Sequence, residues 1–416
     1  MYLFNPENDL ALANFSPNYT PPASATRLAE ELAVLPIWYA GRDAATPVEE
    51  GLVDRRNAAM DTASRDTVDR RDTKVIAGGE LNRSFLETVK KILPLQPSLI
   101  PFSDIALYPD MDIVPWGWNP MLRKKLISVG VNEQLLPSPE DLVRLRNYSN
   151  RRHAVEILSE LQAEEAGCCG ESHFFIDDDE LYAWLQSVPG NKVLKMPLSG
   201  SGKGLIWILD GITDKQRDWC RRVAREQGGV VAEPVLDKIQ DFAMEFYLDK
   251  RKVSFAGYSM FTAASSGAYM GNELLSNTRI EEKLSAFVSV ELLHRLRESL
   301  IKKFSDRFPL YTGYAGVDMM VCEISGGYCL QPCVEVNMRM NMGMVARIFH
   351  DCYLHAGAEG RFTVDYCKKP GSALSFHEKM QRESPLMVEN GKILSGYLSL
   401  TPVTDTTNYI AYVKVF

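Results

Sequence analysis

Ala315-Gly-Val-Asp318-Met-Met-Val-Cys322-Glu-Ile-Ser-Gly326-Gly327-Tyr-Cys329-Leu-Gln-Pro-Cys333-Val-Glu335-Val-Asn337-Met-Arg339 folds on paper into a tight hairpin. Two apolar runs rich in Val, Met and Ile flank Gly326-Gly327, the kind of two-residue loop that joins antiparallel strands. With those glycines as the loop, Ser325 faces Tyr328, and counting outward sets Asp318 opposite Glu335. Asn337 shares their face, because side chains two apart on a strand point the same way. Two carboxylates facing each other repel unless a positive charge lies between them, so the pattern asks for a divalent cation. Carboxylate and amide oxygens without thiolate or imidazole suit Mg²⁺, which is held by one or two carboxylates together with substrate phosphates. A hairpin whose acidic face is merely wet has the same sequence, and the segment alone leaves both readings open. A loop of another length would slip the register and move every side chain.

Working outward, the chain of 416 residues has length for about two or three domains, and 45% hydrophobic with 24% charged residues is a globular composition. A net charge of −8 with no strong Lys/Arg run argues against a nucleic-acid or anionic-membrane surface and leaves small anionic ligands in a cleft open. Met1-Tyr-Leu-Phe4 runs at once into Asn5-Pro-Glu-Asn-Asp9, so no secretory segment is expected, and no apolar run approaches the ~20 residues of a membrane span. A cytoplasmic location is the resulting expectation. The eight cysteines lack paired metal spacing and read as reduced core or strand residues; the six histidines are scattered, and zinc is not expected.

Tyr2 to Phe4, Leu35 to Tyr39 and Lys74 to Ala77 read as strands around a helix from Ala25 to Ala33, an alternation that predicts an open α/β sheet. Residues 42–72, rich in Asp and Arg, read as a solvated helix or mobile excursion. The Pro- and Trp-dense stretch 108–121 reads as a connector near a boundary, giving a first α/β domain over 1–125. Beyond it, a helix from His153 to Ala163 with Ser149 or Asn150 as N-cap is expected, then strands at 193–196, 205–209, 229–233 and 241–248. Helices are expected over 214–227 and 281–304, and added strands over 396–416.

Lys195 ends an apolar strand and is followed by Pro197-Leu-Ser199-Gly200-Ser201-Gly202-Lys203-Gly204 and a second strand. A hairpin of small residues leaves its N–H groups free to wrap a polyphosphate, and a lysine at its base supplies charge. Walker A would need glycine at Pro197, Ser or Thr at Gly204 and a helix afterwards, so the P-loop is rejected. Lys203 also reads as a plain solvated turn residue, whereas Lys195, between Leu194 and Met196, calls for a partner. Glu233-Pro-Val235-Leu236 turns the chain where backbone groups can meet an adenine edge, and Asp241 can accept from a ribose hydroxyl. Each of these two is an ordinary strand exit when taken alone. Asn5, Glu7, Asn8 and Asp9 follow the first strand, where open sheets bind ligands or merely turn. The glycine-bearing segment Ser265 to Asn272 reads as a lid, a substrate contact or a surface loop.

The succession of strand lysine, glycine hairpin, Glu-x-x-Leu hinge, acidic residue, strand Asp and Glu335-x-Asn337-x-Arg339 resembles the ATP-grasp superfamily from about residue 138 to about 347. The resemblance implies an ATP-grasp fold of α+β lobes behind an N-terminal open α/β domain. A nucleotide lobe would cover 138–232, a metal and substrate lobe 233–350, and a C-terminal extension 351–416. It implies that Lys195 touches the α/β phosphates, that Ser199, Gly200, Ser201, Gly202 and Lys203 fold over them, and that Glu233 with the backbone of Val235 and Leu236 holds adenine. Asp241 would take ribose. Asp318, Glu335 and Asn337 would hold two Mg²⁺ ions, with Mn²⁺ as a substitute, and Arg339 would meet the transferred phosphoryl group or the accepting carboxylate. Arg151 stands where many members carry a nucleotide lysine, Met338 where many have proline, and Gly316 where some place a phosphate-binding arginine. The implied activity is ATP- and Mg²⁺-dependent ligation of a carboxylate to an amine or thiol through an acyl phosphate. The implied partners are small-molecule carboxylates and amines, amino acids or peptides among them, without nucleic acid or membrane; a homo-oligomer is left open. A kinase acting on a hydroxyl, and a nucleotide-binding protein without turnover, are the alternatives.

Overall fold

The computed structural model describes residues 1–41, 73–200, 204–263 and 269–416. The expected excursion over 42–72, Ser201, Gly202 and Lys203 of the glycine loop, and the part of the Ser265 loop up to Ala268 lie outside the described residues.

Three sheets carry the architecture. In the first, β1 (Tyr2–Leu3), β2 (Lys74–Ile76), β3 (Ser98–Ile100) and β4 (Val114–Pro115) run parallel in the order β3-β2-β1-β4, the open α/β sheet that the alternation predicts. β4 lies inside the stretch read as a connector, where Val114 N–H donates to Met1 O at 2.7 Å and Trp116 N–H to Leu3 O at 2.8 Å. In the second, β5 (His173–Phe175), β6 (Lys192–Lys195), β7 (Leu205–Ile208) and β8 (Val230–Pro234) are antiparallel in the order β5-β8-β6-β7.

The third is a nine-stranded antiparallel sheet in the order β13-β12-β9-β10-β11-β14-β17-β16-β15. Its strands are β9 (Lys238–Asp249), β10 (Lys252–Ala263), β11 (Tyr269–Leu274), β12 (Thr312–Ile324), β13 (Gly327–Asn337), β14 (Gly360–Tyr366), β15 (Met387–Glu389), β16 (Lys392–Ser399) and β17 (Tyr409–Val415). The Thr-rich end therefore adds strands, as expected. Tyr269 to Asn272, read as loop, opens β11.

Leu35 to Tyr39 is not a strand: Leu35–Trp38 forms a single 3₁₀ turn. Pro36 has no N–H for a ladder, and a short run buried on every side has no periodicity to separate strand from helix. The helix expected over 281–304 is two, Asn277–Leu284 and Val290–Arg307, because Ser289 Oγ accepts from Leu292 N–H at 3.2 Å and starts a second helix. The helix expected from His153 begins at Arg152, whose N–H donates to Asn150 Oδ1 at 2.9 Å. Cys169 and Cys329 form a disulfide with Cα atoms 5.9 Å apart, which corrects the expectation of reduced cysteines for that pair. Two backbone bonds bring them together: Cys169 N–H to Leu330 O (2.8 Å) and Leu330 N–H to Gly167 O (3.3 Å), laying residues 167–169 along the open side of edge strand β13.

The cores explain how distant segments meet. Phe4, Trp38 and Val75 of the N-terminal region share one core with Phe349, Tyr353, Leu398 and Val413. The Trp38 ring lies 5.4 Å from Phe349 and 5.5 Å from Tyr353, edge to face. Each such side chain contributes about 1.5–3 kcal/mol by leaving water, so the first sheet is held against the helix Met342–Tyr353 and the far strands. A second core packs Phe242 and Phe246 of β9 against Ile157, Leu161, Leu296 and Phe304 of the helices Arg152–Glu164 and Val290–Arg307.

Candidate active site

The hairpin that orients the site reaches the predicted pairing by an unexpected route. Its loop is Ser325-Gly326, with Ile324 facing Gly327 and Met320 facing Gln331, so the turn sits one residue earlier than Gly326-Gly327. The ladder then shifts, and Asp318 faces Glu335. Met319 alone opposes Pro332, Cys333 and Val334, so the bulge restores the register that the turn had moved. Pro332 belongs there: it has no N–H to give, and strand prolines are confined to edges and bulges.

Asn337, opposite Gly316, shares the face and its Nδ2 donates to Asp318 Oδ2 at 3.2 Å. Burial drives the Asp318 carboxyl well above its ordinary range, and the negative charges of Glu335 and Glu245 push it further. Arg339 offsets part of this. Burial works against its guanidinium, yet Asp9, Glu335 and Asp318 hold it charged. Its Nε donates to Asp9 Oδ1 at 2.6 Å and its Nη2 to Asn337 Oδ1 at 3.2 Å. Among the described residues no three Asp, Glu, His or Cys side chains gather into a ready metal centre. An ion at Asp318 and Glu335 would complete its shell with Asn337, water and phosphate oxygens, as Mg²⁺ does. The oxygen-only donor set and the crowded negative charge fit that ion.

Arg151 joins this face to the glycine loop. It is buried, with Nη2 donating to Glu335 Oε1 at 2.6 Å and Nη1 to Ser199 Oγ at 2.7 Å and Met196 O at 2.6 Å. Lys195, on the neighbouring strand end, has the partner its apolar flanks call for: Nζ lies 2.6 Å from Glu233 Oε2, and Ser172 Oγ donates to Glu233 Oε1 at 2.9 Å. The ladder sets this pair, because Lys195 faces Val231 and Val193 faces Glu233 on adjacent strands. The Glu233 side chain thus faces Lys195. Val235 N–H donates to Asn191 O at 2.9 Å, so adenine contacts there would fall to the Val235 carbonyl or to Leu236. Asp241 pairs with Lys238 at 2.5 Å while burial pushes its carboxyl up. Buried Cys333 lies within the field of Asp318, Glu233, Lys195 and Glu335, which brings the two halves of the set together. β7 follows the glycine loop, as the rejection of a P-loop requires.

Some site residues were not singled out from the sequence. Glu245 of β9, opposite Gly316, lies on the same face, 1% exposed, accepting from Ser259 Oγ and Asn341 Nδ2, each at 2.8 Å. Burial raises its carboxyl to about 7, against the opposing pull of Asn341, Ser259 and Arg339. Its only sequence signal is an acid in the apolar pattern of β9. Gly316, where some members of that superfamily place an arginine, makes room for it: a Cβ there would fall 2.6 Å from Asn341 Nδ2 and 2.7 Å from Glu245 Oε2. Of Asn5, Glu7, Asn8 and Asp9, Asp9 reaches the site. Asn5 Nδ2 donates to Gly117 O at 2.8 Å, the amides of Asn8 and Asn119 meet at 3.0 Å, and Glu7 is buried with its carboxyl pushed up by desolvation.

An open parallel sheet, a small antiparallel sheet bearing Lys195 and Glu233, and a large one bearing Asp318, Glu335 and Asn337 follow in the expected order along the chain. This is the order of sheets that the ATP-grasp resemblance implies.

The chain is similar to the N5-carboxyaminoimidazole synthetase of Staphylococcus aureus complexed with ADP, at 11% identity over 82% of this chain and 92% of that one, with a TM-score of 0.45. It is also similar to the Campylobacter jejuni biotin carboxylase in its β-γ-ATP complex, at 12% over 79% and 80%, with a TM-score of 0.48. A third is an L-amino acid ligase from Bacillus licheniformis, at 13% over 77% and 83%, with a TM-score of 0.41. No family model and no curated protein matches the chain. No helix among the described residues is long and apolar enough to cross a membrane.

Proposed function

We propose that this chain is an ATP-grasp ligase, dependent on ATP and Mg²⁺, that joins a carboxylate to an amine, or to a thiol, through an acyl phosphate. The observation that carries the reading is the facing pair Asp318 and Glu335, with Asn337 and Arg339 on one side and Arg151, Ser199 and Lys195 on the other. Such a set matches the needs of phosphoryl transfer, where positioning and charge neutralisation do nearly all the work. Asp318, Glu335 and Asn337 would hold the metal, which bridges phosphates and offsets developing charge. Lys195, Arg151 and the Ser199–Lys203 loop would hold the polyphosphate, with the Val235 carbonyl and Leu236 at adenine and Asp241 at ribose. Arg339 would meet the transferred phosphoryl group. The nucleotide lobe over 138–232 and the metal lobe over 233–350 would close on ATP between them.

The test is release of ADP and phosphate by the purified protein with Mg-ATP, over carboxylates crossed with amino acids and other amines. A ligase needs both partners for free phosphate, and Glu335→Gln lowers the rate at least about 100-fold, as loss of a metal contact does. ADP formed with one hydroxyl compound and no free phosphate would make the chain a kinase. Mg-ATP binding without any turnover would make it a nucleotide-binding protein.

A further inference from the structure

We infer that Asp9 is the residue that receives the nucleophile, and that the nucleophile is therefore a primary amine arriving as its ammonium ion rather than a thiol. The inference rests on the ligase reading above. Asp9 sits in the first turn of the helix Asn8–Asn14, next to the N-terminal sheet, yet it meets Arg339, just past the end of β13 in the nine-stranded sheet. Its Oδ1 accepts from Arg339 Nε at 2.6 Å, and Arg339 is tied through Nη2 to Asn337 on the Asp318–Glu335 face. Its Oδ2 turns the other way: a Cβ on Gly200 of the glycine loop would fall 3.5 Å from it. Among the described residues Oδ2 takes no hydrogen bond. The carboxylate thus has one oxygen fixed by the guanidinium that would steady an acyl phosphate and the other facing Gly200. The side chain remains 19% exposed, so a small molecule can reach it.

A carboxylate oxygen that no described residue occupies, beside an acyl phosphate, suits one class of nucleophile. An ammonium ion is a strong donor to a carboxylate, but it cannot attack until it has lost a proton. Asp9 binds R–NH₃⁺ and takes that proton. The nitrogen lone pair then forms the C–N bond as the acyl C–O bond to phosphate breaks. The second N–H proton leaves with the departing phosphate as HPO₄²⁻, so charge and atoms balance. A thiol offers a carboxylate only a weak donor, and its thiolate would be repelled by it.

Hydroxylamine separates this role from others, because it is largely unprotonated near neutrality and traps an acyl phosphate as the hydroxamate without needing a base. Asp9→Asn keeps an oxygen for Arg339 Nε and removes the charge. Phosphate release with Mg-ATP and an equimolar pool of the twenty standard amino acids, each both acid and amine, is compared with hydroxamate formation when hydroxylamine is added to the same pool. The expected result is a fall of about 100-fold or more in amine-dependent release, within the usual range for a positioned proton acceptor, against a fall of a few-fold at most in hydroxamate formation. An equal fall in both would make Asp9 a positioning residue for Arg339 and overturn the inference. No change in either would overturn it as well. A wild-type protein silent with this pool and with every carboxylate of the matrix above, with and without hydroxylamine, would overturn the ligase reading beneath it.

Discussion

Lys195 Nζ lies 2.6 Å from Glu233 Oε2, and each side chain is only 9% exposed. The two charges neutralise one another where water cannot. Removing Glu233 alone leaves an uncompensated ammonium in that space, and Glu233→Ala is expected to lower stability by about 3–5 kcal/mol, read by urea unfolding. The double change Lys195→Met, Glu233→Leu should recover most of it while losing Mg-ATP binding. A double variant as unstable as the single one would show that Glu233 matters for packing rather than for charge.

Gly316 is a clearance beside Glu245. Gly316→Ala pushes a methyl group to 2.6 Å from Asn341 Nδ2, within the hydrogen bonds that satisfy a buried acid. Over-packing of this kind costs about 1–3 kcal/mol. Thermal unfolding should show the loss, and combining Gly316→Ala with Glu245→Ala should recover part of it. An unchanged midpoint for Gly316→Ala would mean that Asn341 moves aside freely.

His153 predicts how stability depends on pH. Its ring packs 5.3 Å from that of Phe308, and burial lowers its pKa from the ordinary 6.5, with Arg307 on the facing helix and Arg152 adding to the effect and Glu156 opposing it. The unfolded chain is then the stronger proton acceptor. Stability from the neutral imidazole is full above about pH 6.5 and drains as pH falls through that value toward the folded pKa. Between about pH 8 and about pH 5 the melting temperature of the wild type should fall relative to that of His153→Gln. Parallel slopes for both proteins would remove His153 as a cause.

The bond between Cys169 and Cys329 predicts a thiol count. Of eight cysteines, six should titrate in denaturant without reductant. The linked residues are 160 apart, so opening the bond should lower stability by up to roughly 5 kcal/mol in the chain-entropy limit. Eight reactive thiols would restore the reduced state that the spacing alone had predicted.

Local pattern determined more of this protein than its length would promise. The β12–β13 hairpin, the strand that ends at Lys195 and the helix over 214–227 follow from periodicity and turn chemistry within a few residues of each feature, and the structure holds them all. Where a segment has no period of its own, as at Leu35–Trp38, burial decided its form, and where a serine cap interrupts an apolar stripe, as at Ser289, one helix became two.

Even the pairing of Asp318 with Glu335 was legible only because two local departures offset one another. A turn one residue early moves the register, and the bulge at Pro332 moves it back. What the sequence by itself determined is therefore which residues carry charge on which strand. Tertiary structure alone decided that Glu245 joins the acidic face, that Arg151 bridges Glu335 to Ser199, and that Asp9 meets Arg339 across 330 residues of chain. Those contacts depend on strand order and on shared cores between distant segments, and a long-range contact leaves no periodic trace in the chain that makes it.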